Sequence, residues 1–244
     1  MCISVMAAAA ISGDTLIPYA IMKQPVNHDE FLKVGIRKNI DVVIAESTGT
    51  NMTNWLFPDQ LPKCVVPYVD MLRNKLGLDI NSPAALLVDN CSSHLSNYTK
   101  LICALNNIKL ITLPPNSTQY LQMLDLGVFG AYKQHLQTLR RHQTHDTPYR
   151  ILFLALSALR QAMTPVTIFN SFAGAGIVRD VHEEGHVYCH ISEDTFLDII
   201  DSIDADNILL KYVGSRTTRK TKPRGFGYVN EMQMCEQSSI GWFN

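Results

Sequence analysis

Read as a pattern of apolar and polar positions, the chain opens in strands. Residues 2–23 hold two apolar stretches on either side of Ser12-Gly13-Asp14, and Gly followed by Asp between two such runs predicts a hairpin. Asp41-Val-Val-Ile-Ala-Glu46 reads as another short strand, with Ser47-Thr-Gly49 as the turn after it. From Thr53 to about Leu76 the spacing is helical, but Pro58, Pro62 and Pro67 fall inside it. A proline removes a backbone donor and crowds the preceding turn, so a short piece followed by a helix entered near Pro67 is expected.

Ala84-Ala-Leu-Leu-Val-Asp89 is a continuous apolar run ended by a polar residue, the pattern of a strand buried on both faces. Ser92 or Ser93 can cap a helix running to about Asn106. Ile108 to Leu113 is the next buried strand, stopped by Pro114-Pro115. This β-α-β unit implies a parallel pair and an α/β architecture. A polar loop at 116–122 leads to helices from about Leu124 to Arg141 and from Pro148 to Met163, and Thr164-Pro165 opens another. Past Gly176 the pattern weakens. Asp194 to Ile203 reads as helical, and 211–224 is a basic stretch carrying Lys211, Arg216, Arg219, Lys220, Lys222 and Arg224. The division expected is a core over 1–178 and an appendage with a basic tail over 179–244.

Composition narrows the class without naming a function. A chain of 244 residues that is 46% hydrophobic and 18% charged can bury one substantial core. A formal charge of -1 excludes a globally basic surface, so any nucleic-acid contact has to be local. The six cysteines are scattered without a C-x-x-C pair, and no secretory leader precedes them, so a reduced compartment is expected. The apolar run Cys2 to Ile11 is short for a membrane span. A soluble intracellular protein without membrane association is the expectation.

The residues that suit chemistry are carboxylates at strand ends. Asp89 ends one buried strand, and Asp125 starts a helix just past the neighbouring parallel strand. Hard divalent cations prefer carboxylate oxygens, and crowded like charges favour a cation between them. Ordinary roles fit the same positions: a turn bond for Asp89, or a favourable charge in a first helical turn for Asp125. His94 and Asn90 are auxiliary candidates near Asp89, with a histidine satisfied by the fold and a turn-forming asparagine as the plain readings; Gln122 reads as shaping its loop. His182-Glu-Glu-Gly-His186 matches H-E-x-x-H literally, but Gly185 and the extended pattern of Val187-Tyr188-Cys189 argue against the helix a zinc peptidase needs. Cys189 and His190 add only a loose structural-zinc cluster. Lys133, Arg140, Arg141, His142 and His145 form a cationic face suited to DNA backbone, or simply a solvated one.

Leu86-Leu-Val-Asp-Asn-Cys-Ser-Ser-His94 and Leu113-Pro-Pro-Asn-Ser-Thr-Gln-Tyr-Leu-Gln-Met-Leu-Asp-Leu-Gly-Val128 resemble two signature blocks of the DDE superfamily endonucleases, in the pogo, Tigger and Jerky branch of the Tc/mariner-like transposases. The resemblance extends over roughly residues 3–178, through Val5 to Ile21, Gly49 to Leu56 and Phe169 to Ile177. Met123 stands where proline is usual, and Leu126 where a polar residue is usual. The resemblance implies that Asp89 and Asp125 are the second and third catalytic acids, each a ligand of Mg²⁺ or Mn²⁺ in two-metal phosphodiester cleavage and strand transfer. It also implies DNA as partner, a nuclear location and the option of a homo-oligomer.

The implied fold is a ribonuclease H-like mixed sheet flanked by helices, in which a first, central strand bears the first acid. Neither Asp14 nor Asp41 matches that position, so the chain is expected to lack that strand, to leave strand edges exposed inside the sheet and to be inactive as written. An upstream segment carrying the first Asp and a helix-turn-helix region would complete a nuclease. The alternative is a catalytically inactive, domesticated or decayed transposase fragment that only binds DNA or protein.

Overall fold

In the computed structural model, which describes residues 3–114, 117–141, 147–181, 187–192 and 241–243, the chain opens as the hairpin its apolar pattern predicts. The first arm is split into β1 (Ser4–Met6) and β2 (Ala9–Ala10), and the return arm is β3 (Tyr19–Lys23), with Ser4 opposite Ile21 and Met6 opposite Tyr19. The turn closes through Gly13 N–H to the Ala10 carbonyl and Ala10 N–H to the Asp14 carbonyl, both at 2.9 Å. Gly13 has φ +88°, and a Cβ there would stand 3.0 Å from the Phe169 ring, so both conformation and space require glycine. A short α1 (Asp29–Lys33) leads to β4 (Val43–Ser47), which runs parallel to β3 from Tyr19 opposite Val43 to Lys23 opposite Ser47.

The proline-bearing segment holds the expected short piece and a helix entered near Pro67. α2 (Leu56–Gln60) and α3 (Val66–Lys75) are joined by a π turn, Leu61–Val65, and the junction residues keep right-handed helical dihedrals throughout. The two expected pieces are joined by this π turn rather than by a loop. Pro62 and Pro67 withdraw two N–H donors, and a wider i→i+5 turn accommodates their rings without ending the helix. Arg73 at its far end is 3% exposed and donates to the carbonyls of Ser82 and Asn106 at 2.7 and 2.9 Å, which fixes the helix against the starts of the next strands.

Those strands form the expected β-α-β unit. β5 (Ala84–Val88) is buried along its whole length and runs parallel to β6 (Ile108–Thr112), from Ala84 opposite Ile108 to Val88 opposite Thr112. The connecting α4 (Asn97–Leu105) is capped by Ser96, whose Oγ accepts the Thr99 N–H at 3.1 Å. The expected caps, Ser92 and Ser93, lie instead in a 3₁₀ turn, Ser92–Leu95. That tighter turn folds His94 inward, so the α-helix starts later.

After α5 (Thr118–Leu121), a second π turn, Leu124–Val128, leads into α6 (Phe129–Arg140). α7 (Pro148–Ala162) and α8 (Pro165–Gly174) begin as expected, each with threonine as cap and proline in the first turn. Thr147 accepts from Arg150 N–H at 3.2 Å and Thr164 from Thr167 N–H at 3.1 Å. β7 (Ile177–Val181) pairs antiparallel with β8 (Val187–Ile191).

The last described element, β9 (Gly241–Phe243), returns to the main sheet, which has the order β2-β9-β5-β6. β9 is antiparallel to β2 and parallel to β5. The expectation of exposed edges inside the sheet is therefore corrected: two buried apolar strands would otherwise leave backbone groups unpaired, and β9 takes up that position.

Side chains alternate across the sheets, which puts helices on both faces. Ala7, Ala9, Ile11 and Leu87 pack with Leu124, Val128, Leu159 and Phe172 in one core layer. Ala8, Ala10, Ala84, Leu86 and Val88 pack with Phe57, Val65, Val69 and Cys103 in the other. The architecture is mixed α/β, with small sheets flanked by helices, as the sequence pattern implies. The predicted helix at 194–203 and the basic stretch at 211–224 lie outside the described residues.

Candidate metal centre

Asp89 follows directly on β5, where the strand's last residue, Val88, accepts the Leu113 N–H at 2.9 Å. Its Oδ1 accepts the Cys91 N–H at 3.0 Å, so the ordinary turn bond is made. The same oxygen lies 2.6 Å from His94 Nδ1. His94 is 8% exposed, and its ring sits 4.2 Å from that of Phe57. The imidazole and the carboxylate are thus in direct contact. The neighbouring imidazole holds the Asp89 carboxyl below its ordinary range; partial burial opposes it, and the Cys91 N–H adds to it.

Asp125 lies in the π turn that opens the α6 helix, with its N–H donating to the Gln122 carbonyl at 3.0 Å and that of Leu126 to the same carbonyl at 3.2 Å. The backbone carbonyl of Gln122 thus starts the turn that carries Asp125. Partial burial raises the Asp125 carboxyl above its ordinary range, Lys133 opposes this, and the charge of Asp89 raises it further. Met123 is 1% exposed and fills core space, whereas Leu126 points outward at 41%. Gly127 lets the turn press on α8: a Cβ there would stand 2.8 Å from the Ser171 Cβ and 3.2 Å from its Cα.

The remaining sequence candidates divide cleanly. Asn90 is exposed beside Asp89. Lys133, Arg140 and Arg141 are exposed on α6 and just past it, while His142 and His145 lie outside the described residues. So do His182 to His186; Cys189 and His190 are on β8, extended as their pattern predicted. Asp14 is engaged by Ser12 Oγ at 2.9 Å and Tyr68 Oη at 2.8 Å, and Asp41 by Arg37 and Arg160. Sequence reasoning passed over Cys91, although the spacing Asp89-x-Cys91-x-x-His94 was legible. It also missed Phe57, whose contact with His94 joins segments far apart in sequence.

Oxygen donors from Asp89 and Asp125 suit a hard cation such as Mg²⁺ or Mn²⁺, and the mutual repulsion of the two carboxylates is what such an ion relieves. Among the described residues, no group of three carboxylates gathers there; the close trio is Asp89, Cys91 and His94. A cavity of about 350 Å³ lies elsewhere, lined by Leu16, Ile40, Asp41, Leu156, Arg160 and neighbours, and includes neither acid.

Against known proteins, the family described as DDE superfamily endonuclease matches residues 2–152. A protein of Cochliobolus lunatus named MFS-type transporter clz9 is 35% identical over 98 residues, covering 38% of this chain and 11% of that protein. The chain thus spans about a tenth of that relative's length. Among the described residues, no single helix is long and apolar enough to cross a membrane. No solved structure matches.

Proposed function

The chain belongs to the DDE superfamily endonucleases, and from that premise we propose that it is a transposase-derived nuclease domain of the pogo and Tigger type, acting on DNA in the nucleus. What supports this reading is the family match over residues 2–152, which spans both signature blocks and with them Asp89 and Asp125. Asp89 and Asp125 would hold Mg²⁺ or Mn²⁺, and the bound metal would supply activation of a water or 3′-hydroxyl and stabilisation of the leaving oxygen. Lys133, Arg140 and Arg141 would track the DNA backbone beside the cut.

A specific observation also favours a second reading, binding without cleavage. Asp14 and Asp41, the two acids weighed for the first position, are committed to Tyr68 and to Arg37 with Arg160. A nuclease would then draw its first acid from a residue other than these two.

One experiment separates the two. Purified chain is mixed with duplex DNA carrying transposon-like ends in Mg²⁺ or Mn²⁺, and both binding and strand cleavage are followed. The nuclease reading expects cleavage that falls by about 10³-fold or more in Asp89→Ala and in Asp125→Ala, roughly 4 kcal/mol of transition-state stabilisation. The binding reading expects salt-dependent affinity that survives Asp89→Ala, with no cleavage by any variant. DNA affinity that is absent at low salt overturns both.

A further inference from the structure

The corner built by Asp89, Cys91 and His94 has a donor set that the hard-cation site does not use. Asp89 Oδ1 takes the Cys91 N–H, which curls the chain back, and the Cys91 Sγ lies 3.2 Å from Ser93 Oγ. The following 3₁₀ turn, in which the His94 N–H donates to the Cys91 carbonyl at 3.0 Å, returns the imidazole to the same place. One oxygen, one sulfur and one nitrogen all fall within 4.8 Å of one another.

Two observations point independently to a ligand. The His94 side chain is 10% exposed, and its Nδ1 stands 2.6 Å from Asp89 Oδ1, so a ring nitrogen and a carboxylate oxygen are already gathered at one corner. Cys91, by contrast, is a free and exposed cysteine, open to an incoming ion. Soft or borderline ions choose such a mixture of thiolate, imidazole and carboxylate, whereas Mg²⁺ does not.

We propose that Asp89, Cys91 and His94 form a binding site for one Zn²⁺ ion. The geometry needs little change. Zinc bonds of about 2.0–2.3 Å in a tetrahedron place ligand atoms roughly 3.3–3.8 Å apart. A turn of the Asp89 carboxylate widens its contact with Nδ1, and the separation to sulfur closes by no more than about an ångström. On binding, the Cys91 thiol releases its proton to solvent as the Zn–S bond forms, and solvent fills the fourth position. Phe57 supports the imidazole from behind and keeps it in place.

Zinc binding itself is independent of the nuclease reading. Its consequence rests on that reading: Zn²⁺ and the hard cation share Asp89, so zinc occupancy blocks Mg²⁺ or Mn²⁺ loading and shuts the site.

The test uses the reduced full chain and Co²⁺ alone as a spectroscopic stand-in for zinc, titrated without DNA. One equivalent should give visible tetrahedral bands and a near-ultraviolet sulfur-to-cobalt band, both displaced by Zn²⁺. Cys91→Ser, an exposed change, should abolish the sulfur band with the fold intact by circular dichroism. Asp89→Asn and His94→Gln should weaken cobalt binding at least about tenfold, the scale on which even outer-shell partners act. Asp125→Asn and Cys189→Ser should leave the spectrum unchanged. A sulfur band that persists in Cys91→Ser, or no band in the parent chain, overturns the proposal. Zinc binding with these signatures, in a chain that never cleaves DNA, would refute the nuclease reading and leave the metal site standing.

Discussion

Asp41 and Asp89 both flank strands of this fold, yet their surroundings are opposite. Asp41, just before β4, receives the Arg37 guanidinium at 2.9 and 3.0 Å, the Arg37 N–H at 2.9 Å and Arg160 at 3.3 Å. It is saturated with cationic partners, and these hold its carboxyl down to about 2. Asp89, just after β5, meets a single imidazole, His94, at 2.6 Å, and raises the carboxyl of a second acid, Asp125. A carboxylate already neutralised by arginines has nothing left to offer a metal. The Asp89 corner keeps that capacity, so the contrast separates a structural acid from a candidate ligand better than position at a strand end does.

The largest effect expected on one side of this contrast comes from removing residues 241–244. β9 borders β5, which delivers Asp89, and β2, but neither β3 nor β4. Losing about four ladder bonds at roughly 1 kcal/mol net each should cost on the order of 4 kcal/mol. Native-state hydrogen exchange should show lowered protection at Leu86 to Val88 and retained protection at Ala20 and Ile21. Uniform loss in both places would show that the two regions are not separable.

A smaller and more local effect belongs to Gly127. Alanine there drives a methyl into Ser171 across the contact between the Asp125 turn and α8, which should cost about 2 kcal/mol in denaturant unfolding. Pairing it with Ser171→Gly should recover part of the loss, because the two positions share one contact. A neutral Gly127→Ala would mean that the turn does not press on α8, and that Asp125 is held in some other way.

How much of this was legible in the sequence follows from how local each feature is. β5, α4 and β6 were readable because a buried apolar strand, a helix and a second strand succeed one another within thirty residues. Asp89 and Asp125 were readable for the same reason, each being fixed by the strand or helix beside it. The π turns were not, since residues in them keep helical dihedrals and only the hydrogen-bond register changes. Nor was β9, because three residues carry no periodicity and their partners lie more than 150 residues away. Phe57 behind His94 and the two arginines on Asp41 depend on tertiary packing, which spacing along the chain does not encode.

The smallest effects test the contrast most directly, because they should differ in sign. Asp41 has a folded pKa of about 2, below its unfolded value of roughly 3.9, so its stabilisation is present above about pH 4 and is lost as pH falls through about 2. Asp41→Asn should therefore lower Tm at neutral pH by about 2 °C, since the pairs are near the surface and screened, and should match the parent near pH 2. Asp125 runs the other way. Its folded carboxyl is raised, so the ionised form is the penalised one, and the penalty is full above the folded pKa and absent below the unfolded value. Asp125→Asn should raise Tm at neutral pH in the presence of a chelator, and the gain should vanish in acid. Millimolar Mg²⁺ should then reverse the ranking, because an ion that binds only the folded parent stabilises it by mass action while the asparagine variant gains less. Thermal melts of the two variants at neutral and acid pH, with and without Mg²⁺, decide the matter: shifts of the same sign in chelator would show that Asp125 is a structural acid of the Asp41 kind.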